Sequence, residues 1–199
     1  MNRTTPATTR TRLVRLAAGL LVAVAVIAVA LGHQESKSSS AELSASSPAG
    51  EADGVVPDGT TVFDGRIPAV ARLDAELLEA LRRAAADAAD AGVTFYVNSG
   101  WRSPDYQDQL LREAVSEYGS EREAARWVAT AETSPHVSGE AVDLGRATAT
   151  AWLSEHGARY GLCRIYRNEP WHYELRPEAV DGGCPQMYAD PTEDPRMQQ

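Results

Sequence analysis

His136 and Asp143 stand seven residues apart, with Ser138 and Gly139 between them to turn the chain, and His172 follows in a segment that alternates like a strand. Two imidazoles and one carboxylate are the donor set of a zinc site with three protein ligands and a fourth position free for water. Glu169 lies three residues before His172, in the turn-forming sequence Asn168-Glu169-Pro170. From there its carboxylate can hang over the metal without ligating it. Zinc brings the pKa of a bound water to about 7, and a neighbouring carboxylate can take the proton as that water attacks a carbonyl. The chemistry expected is therefore hydrolysis. Spacing alone does not select this reading, because a His and an Asp seven apart, or an isolated Glu-x-x-His, arise by chance in many sequences. The helical His-Glu-x-x-His pattern of another zinc-protease class is absent. His33, beside an apolar run, and His156, near a helix end, read as surface residues.

Three motifs occurring together carry a more specific resemblance. Ser134-Pro135-His136-Val137-Ser138-Gly139-Glu140-Ala141-Val142-Asp143 matches the Ser-x-His-x-x-Gly-x-Ala-x-Asp signature of the VanY and VanX type D-alanyl-D-alanine peptidases, and Glu169-Pro170-Trp171-His172 matches their Glu-x-x-His. Ser99-Gly100-Trp101-Arg102-Ser103 resembles their Ser-Gly-Tyr-Arg-Ser segment, with Trp in place of Tyr. The resemblance covers roughly Leu73 to Pro185. His172 is followed by Tyr173 and Glu174 instead of a His-x-His ending, which points to the VanY-like branch.

The resemblance implies that His136, Asp143 and His172 bind Zn2+ and that Glu169 is the general base. It implies that Arg102 is an electrophilic partner, steadying the tetrahedral oxyanion or pairing with the substrate carboxylate, and that Ser134 hydrogen-bonds substrate near the metal. Without it, Arg102 reads as a surface arginine beside a helix start and Ser134-Pro135 as an ordinary turn; Gln107, on the first turn after Arg102, either orients that loop or, the preferred reading, faces solvent. The fold implied is α+β, a small antiparallel sheet carrying the zinc site with helices packed around it. The activity implied is removal of the terminal D-Ala from peptidoglycan stem peptides. A D-Ala-D-Ala dipeptidase, a peptidoglycan endopeptidase of the same fold, and a non-catalytic zinc- or wall-binding module are the alternatives. Glu169 separates the last from the enzymes, since a binding site needs no base.

Several elements must position these residues. Leu73, Leu77, Leu78 and Leu81 recur at helical spacing, predicting a helix from Leu73 to Ala91 that stops at Gly92. Val93, Phe95 and Val97 alternate with polar residues as in a half-buried strand. Ser103-Pro104-Asp105 supplies an N-cap, a proline at N1 and a first-turn acid for a helix to about Tyr118, leaving Arg102 in a strand-to-helix loop. Short helices are expected over Glu121–Thr130 and Ala147–His156, with strands at Ala141–Leu144, Cys163–Arg167 and Trp171–Leu175. In a regular strand Trp171 and Tyr173 point away from the His172 side.

Arg3, Arg10, Arg12 and Arg15 precede an uncharged, Leu/Val/Ala-rich run from Leu16 to Gly32. Spanning helices need ~17–25 residues and secretory cores run ~7–15. The chain thus divides into a basic cytoplasmic segment (1–15), a membrane anchor or signal core (16–32), a Ser/Ala/Glu/Gly/Pro-rich flexible linker (33–60), a peptidase domain (61–185) and an irregular tail (186–199). The expected topology is a single pass with the N-terminus inside and the catalytic domain outside the cytoplasm. Secretion after cleavage near Ala28-Val29-Ala30 is the alternative. The net charge is −9, and residues 1–32 hold four arginines and no acid, so the remainder is more acidic still. Such a surface excludes nucleic acid as a natural partner. Cys163 and Cys184, the two cysteines, bracket Glu169 and His172, and an oxidising exterior would let them pair. Zinc ligation by them would compete with a complete His/Asp/His set.

Overall fold

The computed structural model describes residues 48–198. The expected basic segment, the apolar run 16–32 and linker residues 33–47 lie outside them. Among the described residues no helix is long and apolar enough to cross a membrane.

A one-turn helix, α1 (Pro68–Ala71), leads into α2 (Ala75–Ala89). Asp74 starts α2 by accepting from the Glu76 and Leu77 amides at 3.0 and 2.9 Å, so Leu73 lies outside the helix yet still joins the core. Leu77, Ala80, Leu81, Ala84, Ala85 and Ala88 form its buried stripe. Strand β1 (Tyr96–Ser99) starts later than the alternation suggested. The helix opened by Ser103, α3 (Pro104–Tyr118), has the expected bounds and ends on Gly119. Only Glu121–Ala124 of the expected next helix forms, as α4. A further turn, α5 (Pro135–Ser138), feeds β2 (Ala141–Gly145), then α6 (Ala147–His156), β3 (Leu162–Arg164), β4 (His172–Leu175) and α7 (Ala179–Gly182).

The α+β expectation holds: the four strands form one antiparallel sheet in the order β1-β2-β4-β3. Its two faces follow from side-chain alternation. Val97, Val142, Leu144, Leu162 and Tyr173 join the α2 stripe and Leu153 of α6 in the main core. Each fully buried Leu there is worth roughly 1.5–3 kcal/mol of transfer free energy. Asp143 pairs with His172 on one side and Ser99 on the other, so these three residues line up across the opposite face. An extra residue in β1, between Val97 and Ser99, shifts the register and brings Ser99 to that face.

Residues 48–60 differ from the linker expected of their composition. Glu51–Asp53 form a 3-10 turn, the Asp53 carbonyl accepts from the Ser103 amide at 2.8 Å, and the Thr60 carbonyl accepts from the Val97 amide at 2.9 Å. Backbone hydrogen bonds, to which composition is blind, fix this segment. The tail is irregular in having only 3-10 turns, at Pro191–Glu193 and Pro195–Gln198, but it is packed: Asp194 is fully buried and Asp190 nearly so.

Candidate metal centre

His136 rides on α5, a turn built for it. The Ser134 hydroxyl caps the turn by accepting from the His136 amide at 3.3 Å, Pro135 occupies N1, and Gly139 closes it at φ 81°. A side chain at Gly139 would be strained by that φ and would press on the Arg72 carbonyl. His136 Nδ1 lies 2.9 Å from the Gly100 carbonyl, so Nδ1–H donates there and Nε2 faces Asp143. Gly100 can approach so closely because it is glycine; a Cβ there would run into the Ala69 carbonyl.

Asp143 sits between the two rings. Its Oδ1 is 3.5 Å from His136 Nε2 and 3.2 Å from His172 Nδ1, and one ligand atom from each of the three residues lies within 4.8 Å of the others. The other nitrogen of His172, Nε2, is 3.1 Å from Glu174 Oε1. Each imidazole therefore presents one nitrogen to a common point while an acceptor holds the other, the arrangement that fixes tautomer and orientation in metal-binding histidines. The two neutral imidazoles and one carboxylate, all buried, fit Zn2+ with a position left open.

Glu169 turns towards the same point from the β3–β4 connection, with Oε2 3.6 Å from His172 Nδ1. Its Oε1 is buried without a hydrogen-bond partner. Burial pushes this carboxyl up to about 7. Burial would raise Asp143 too, but His136, His172 and Arg102 together hold it well below the usual carboxylate range. Burial lowers the His136 pKa, helped by the Arg102 charge. His172 goes the other way: burial opposes its charge, yet hydrogen bonds to Asp143 and Glu174 raise it to about 9.

Arg102 is anchored three ways. Its Nε donates to Ser99 Oγ at 2.7 Å, Nη1 to Gln107 Oε1 at 3.0 Å and Nη2 to Asp143 Oδ2 at 3.0 Å. The structure thus ties this arginine to a metal ligand, a contact that reading the loop did not anticipate. Gln107 is not the solvent-facing residue expected: it is 1% exposed and passes Arg102's hydrogen bond on by donating to the Ala129 carbonyl at 2.8 Å. Residue 107 follows the N-cap of α3 by one turn, which puts its side chain beneath the arginine. Ser134 lines the cleft, and its hydroxyl serves the α5 cap. Tyr173 is buried in the core, and Trp171, which precedes β4 and is 38% exposed, lines the cleft, so the pair divides between the core and the cleft wall expected of residues pointing away from His172.

The metal point opens into a cleft of about 400 Å³ between α3 and the β3–β4 connection. Its outer wall carries Tyr118 and Trp127, stacked with ring centroids 5.9 Å apart. Cys163 and Cys184 are joined in a disulfide behind the site. Sequence reasoning missed Glu174, and for Gln107 it preferred solvent exposure over the loop-orienting role that the contact with Arg102 supports. Strand alternation places Glu174 on the His172 face, two residues on, and was the available signal.

Residues 70–178 match the family described as VanY, D-alanyl-D-alanine carboxypeptidase. A D-alanyl-D-alanine carboxypeptidase of Enterococcus faecalis (strain ATCC 700802 / V583) is 36% identical over 113 residues, covering 44% of this chain and 42% of that protein. The chain thus spans less than half the length of that relative. Among solved structures, VanYB in complex with D-alanine-D-alanine aligns with a TM-score of 0.51 at 28% identity, over 56% of this chain and 74% of the other. The LdcB LD-carboxypeptidase aligns with a TM-score of 0.51 at 25% identity, over 66% and 72%.

Proposed function

Because the chain belongs to the VanY family of D-alanyl-D-alanine carboxypeptidases, we propose that it is a zinc-dependent D,D-carboxypeptidase that removes terminal D-Ala from peptidoglycan stem peptides outside the cytoplasm. The observation that carries this reading is the buried, partnerless Glu169 Oε1 beside the three converging ligand atoms. A site that only bound metal would have no use for it.

His136 Nε2, Asp143 and His172 Nδ1 would hold the zinc, which supplies a Lewis acid for the scissile carbonyl and for water. Glu169 takes the proton of the attacking water and delivers it to the leaving amine; a carboxyl near 7 is suited to both transfers at neutral pH. Arg102, held by Ser99, Gln107 and Asp143, presents its remaining N–H groups to negative charge on the substrate, as oxyanion or terminal carboxylate. Ser134 lines the wall beside His136 and donates to the peptide. The cleft continues past the metal to the Tyr118–Trp127 stack, which favours a stem peptide over a free dipeptide. The apolar run 16–32 anchors the enzyme in the membrane with its N-terminus inside, and residues 33–47 tether the domain near its polymer.

Incubation of the zinc-loaded protein with a pentapeptide ending in D-Ala-D-Ala, free D-Ala-D-Ala and a cross-linked muropeptide, with products identified by mass, tests the reading. Release of one D-Ala from the pentapeptide is expected. Cleavage confined to the dipeptide or to the cross-link would replace this function with dipeptidase or endopeptidase activity.

A further inference from the structure

Glu174 is fully buried one strand step beyond His172, and it is gripped from outside the sheet. Arg196 Nη1 donates to Glu174 Oε2 at 2.7 Å and Nη2 to Oε1 at 3.1 Å, a two-pronged contact that fixes the carboxylate plane. The same guanidinium is held by Asp194, through Nη2 at 2.5 Å and Nε at 3.1 Å, and Asp194 accepts from Tyr166 Oη at 2.9 Å. Tyr166 lies against His172 with ring centroids 5.1 Å apart. Arg176 adds one contact to Glu174 Oε2 at 2.5 Å.

The segment bearing Arg196 is strapped down along its length. The Tyr188 amide donates to the Ile165 carbonyl, and the Arg167 and Asn168 amides donate to the Tyr188 and Ala189 carbonyls, at 3.0, 3.0 and 3.2 Å. Asp190 accepts from Arg126 Nε at 2.9 Å. This strap lies C-terminal to the family-matched residues 70–178.

We propose that Arg196 is a positioning residue of the metal centre: by fixing the Glu174 carboxylate it holds the His172 ring with Nε2–H outward and Nδ1 facing the metal. Glu174 is a flexible side chain whose useful oxygen sits 3.1 Å from Nε2 while Arg196 spans both its oxygens. With Arg196 gone, Arg176 holds one oxygen alone, and neither the carboxylate plane nor the ring is fixed.

The inference rests on the zinc reading, and its test reads metal, not turnover. Zinc dissociation constants of the full chain and its variants are measured by competition with a chromophoric chelator, alongside the visible spectrum of the Co2+-loaded proteins. Arg196→Gln is expected to weaken zinc by roughly 10–100-fold, the usual effect of losing such a supporting partner, and to alter the Co2+ spectrum. Arg196→Lys, a point charge without the fork, should fall between. Glu174→Gln fills the same volume and should show the same loss, so the proposal stays measurable should Arg196→Gln not fold. Arg167→Gln removes an exposed ion pair to Glu193 and one hydrogen bond to the Met187 carbonyl while leaving Glu174 and Arg196 in place, and should bind zinc like the parent. Parent-like affinity in a folded Arg196→Gln, parent-like affinity in Glu174→Gln, or an equal loss in Arg167→Gln overturns the proposal. A parent chain that takes up no zinc defeats instead the functional reading.

Discussion

Glu169 and His172 share one buried corner, and in the proposed mechanism their protons would govern both catalysis and metal uptake. Glu169→Gln keeps the shape of the site and removes the base, so zinc should stay bound while hydrolysis falls roughly 10²- to 10⁴-fold, read from D-Ala release. In the metal-free protein His172 is raised to about 9 and Glu169 to about 7. Both groups hold protons in the folded state that the unfolded chain has already lost, so folding binds protons and stability falls as pH rises. Asp143 and Glu174, lowered in the fold, act oppositely and only at acid pH. His136, lowered in the fold, offsets Glu169 until the unfolded histidine has lost its proton, so on unperturbed pKa values of about 4 for carboxylates and 6.5 for histidine the metal-free melting temperature should be highest between about pH 5 and 6.5 and decline from there towards pH 9. Zinc must displace the His172 proton, so its affinity should climb with pH by about tenfold per unit over the upper part of that range. That His136, Asp143, Glu169 and His172 would meet was legible because their spacing reflects local turns at Ser138-Gly139 and Asn168-Glu169-Pro170. The grip of Arg102 on Asp143 was not, because it spans 41 residues and arises from strand pairing.

At the scale of elements, the site is three strands in register with one helical turn laid over them. Gly139 ends that turn with φ 81°, against the Arg72 carbonyl. Gly139→Ala should destabilise the fold by on the order of 1–2 kcal/mol from the left-handed backbone alone, seen as a lower melting temperature, and should weaken zinc by displacing His136. Helices α3 and α6 and strand β2 could be read from caps and alternation, as their bounds agree with expectation. Helix α2 was read two residues too long at each end, at its start because Leu73 belongs to the core without belonging to the helix. The 147–156 helix follows Arg146 at φ 67°, a backbone state no pattern of residue types announced.

The molecule as a whole is closed by residues that composition dismissed. Residues 48–60 and 186–198 are poor in large apolar groups and read as linker and tail, yet backbone hydrogen bonds and ion pairs across 22 and 64 residues hold the strap in place. Periodicity records apolar faces and is silent on such polar ties. The Cys163–Cys184 bond, expected from the bracketing of the site, encloses a 21-residue separation. Reduction should cost about 3 kcal/mol in the chain-entropy view, measured as a drop in melting temperature with and without reductant, and should release the start of the strap. The strap also follows every residue of the site in the sequence. His136, Asp143, Glu169 and His172 are all made before Arg196. On the proposal above, a chain cut back before Arg196 would keep His136, Asp143, Glu169 and His172 yet lack the bidentate grip on Glu174, and should capture zinc more weakly than the full chain.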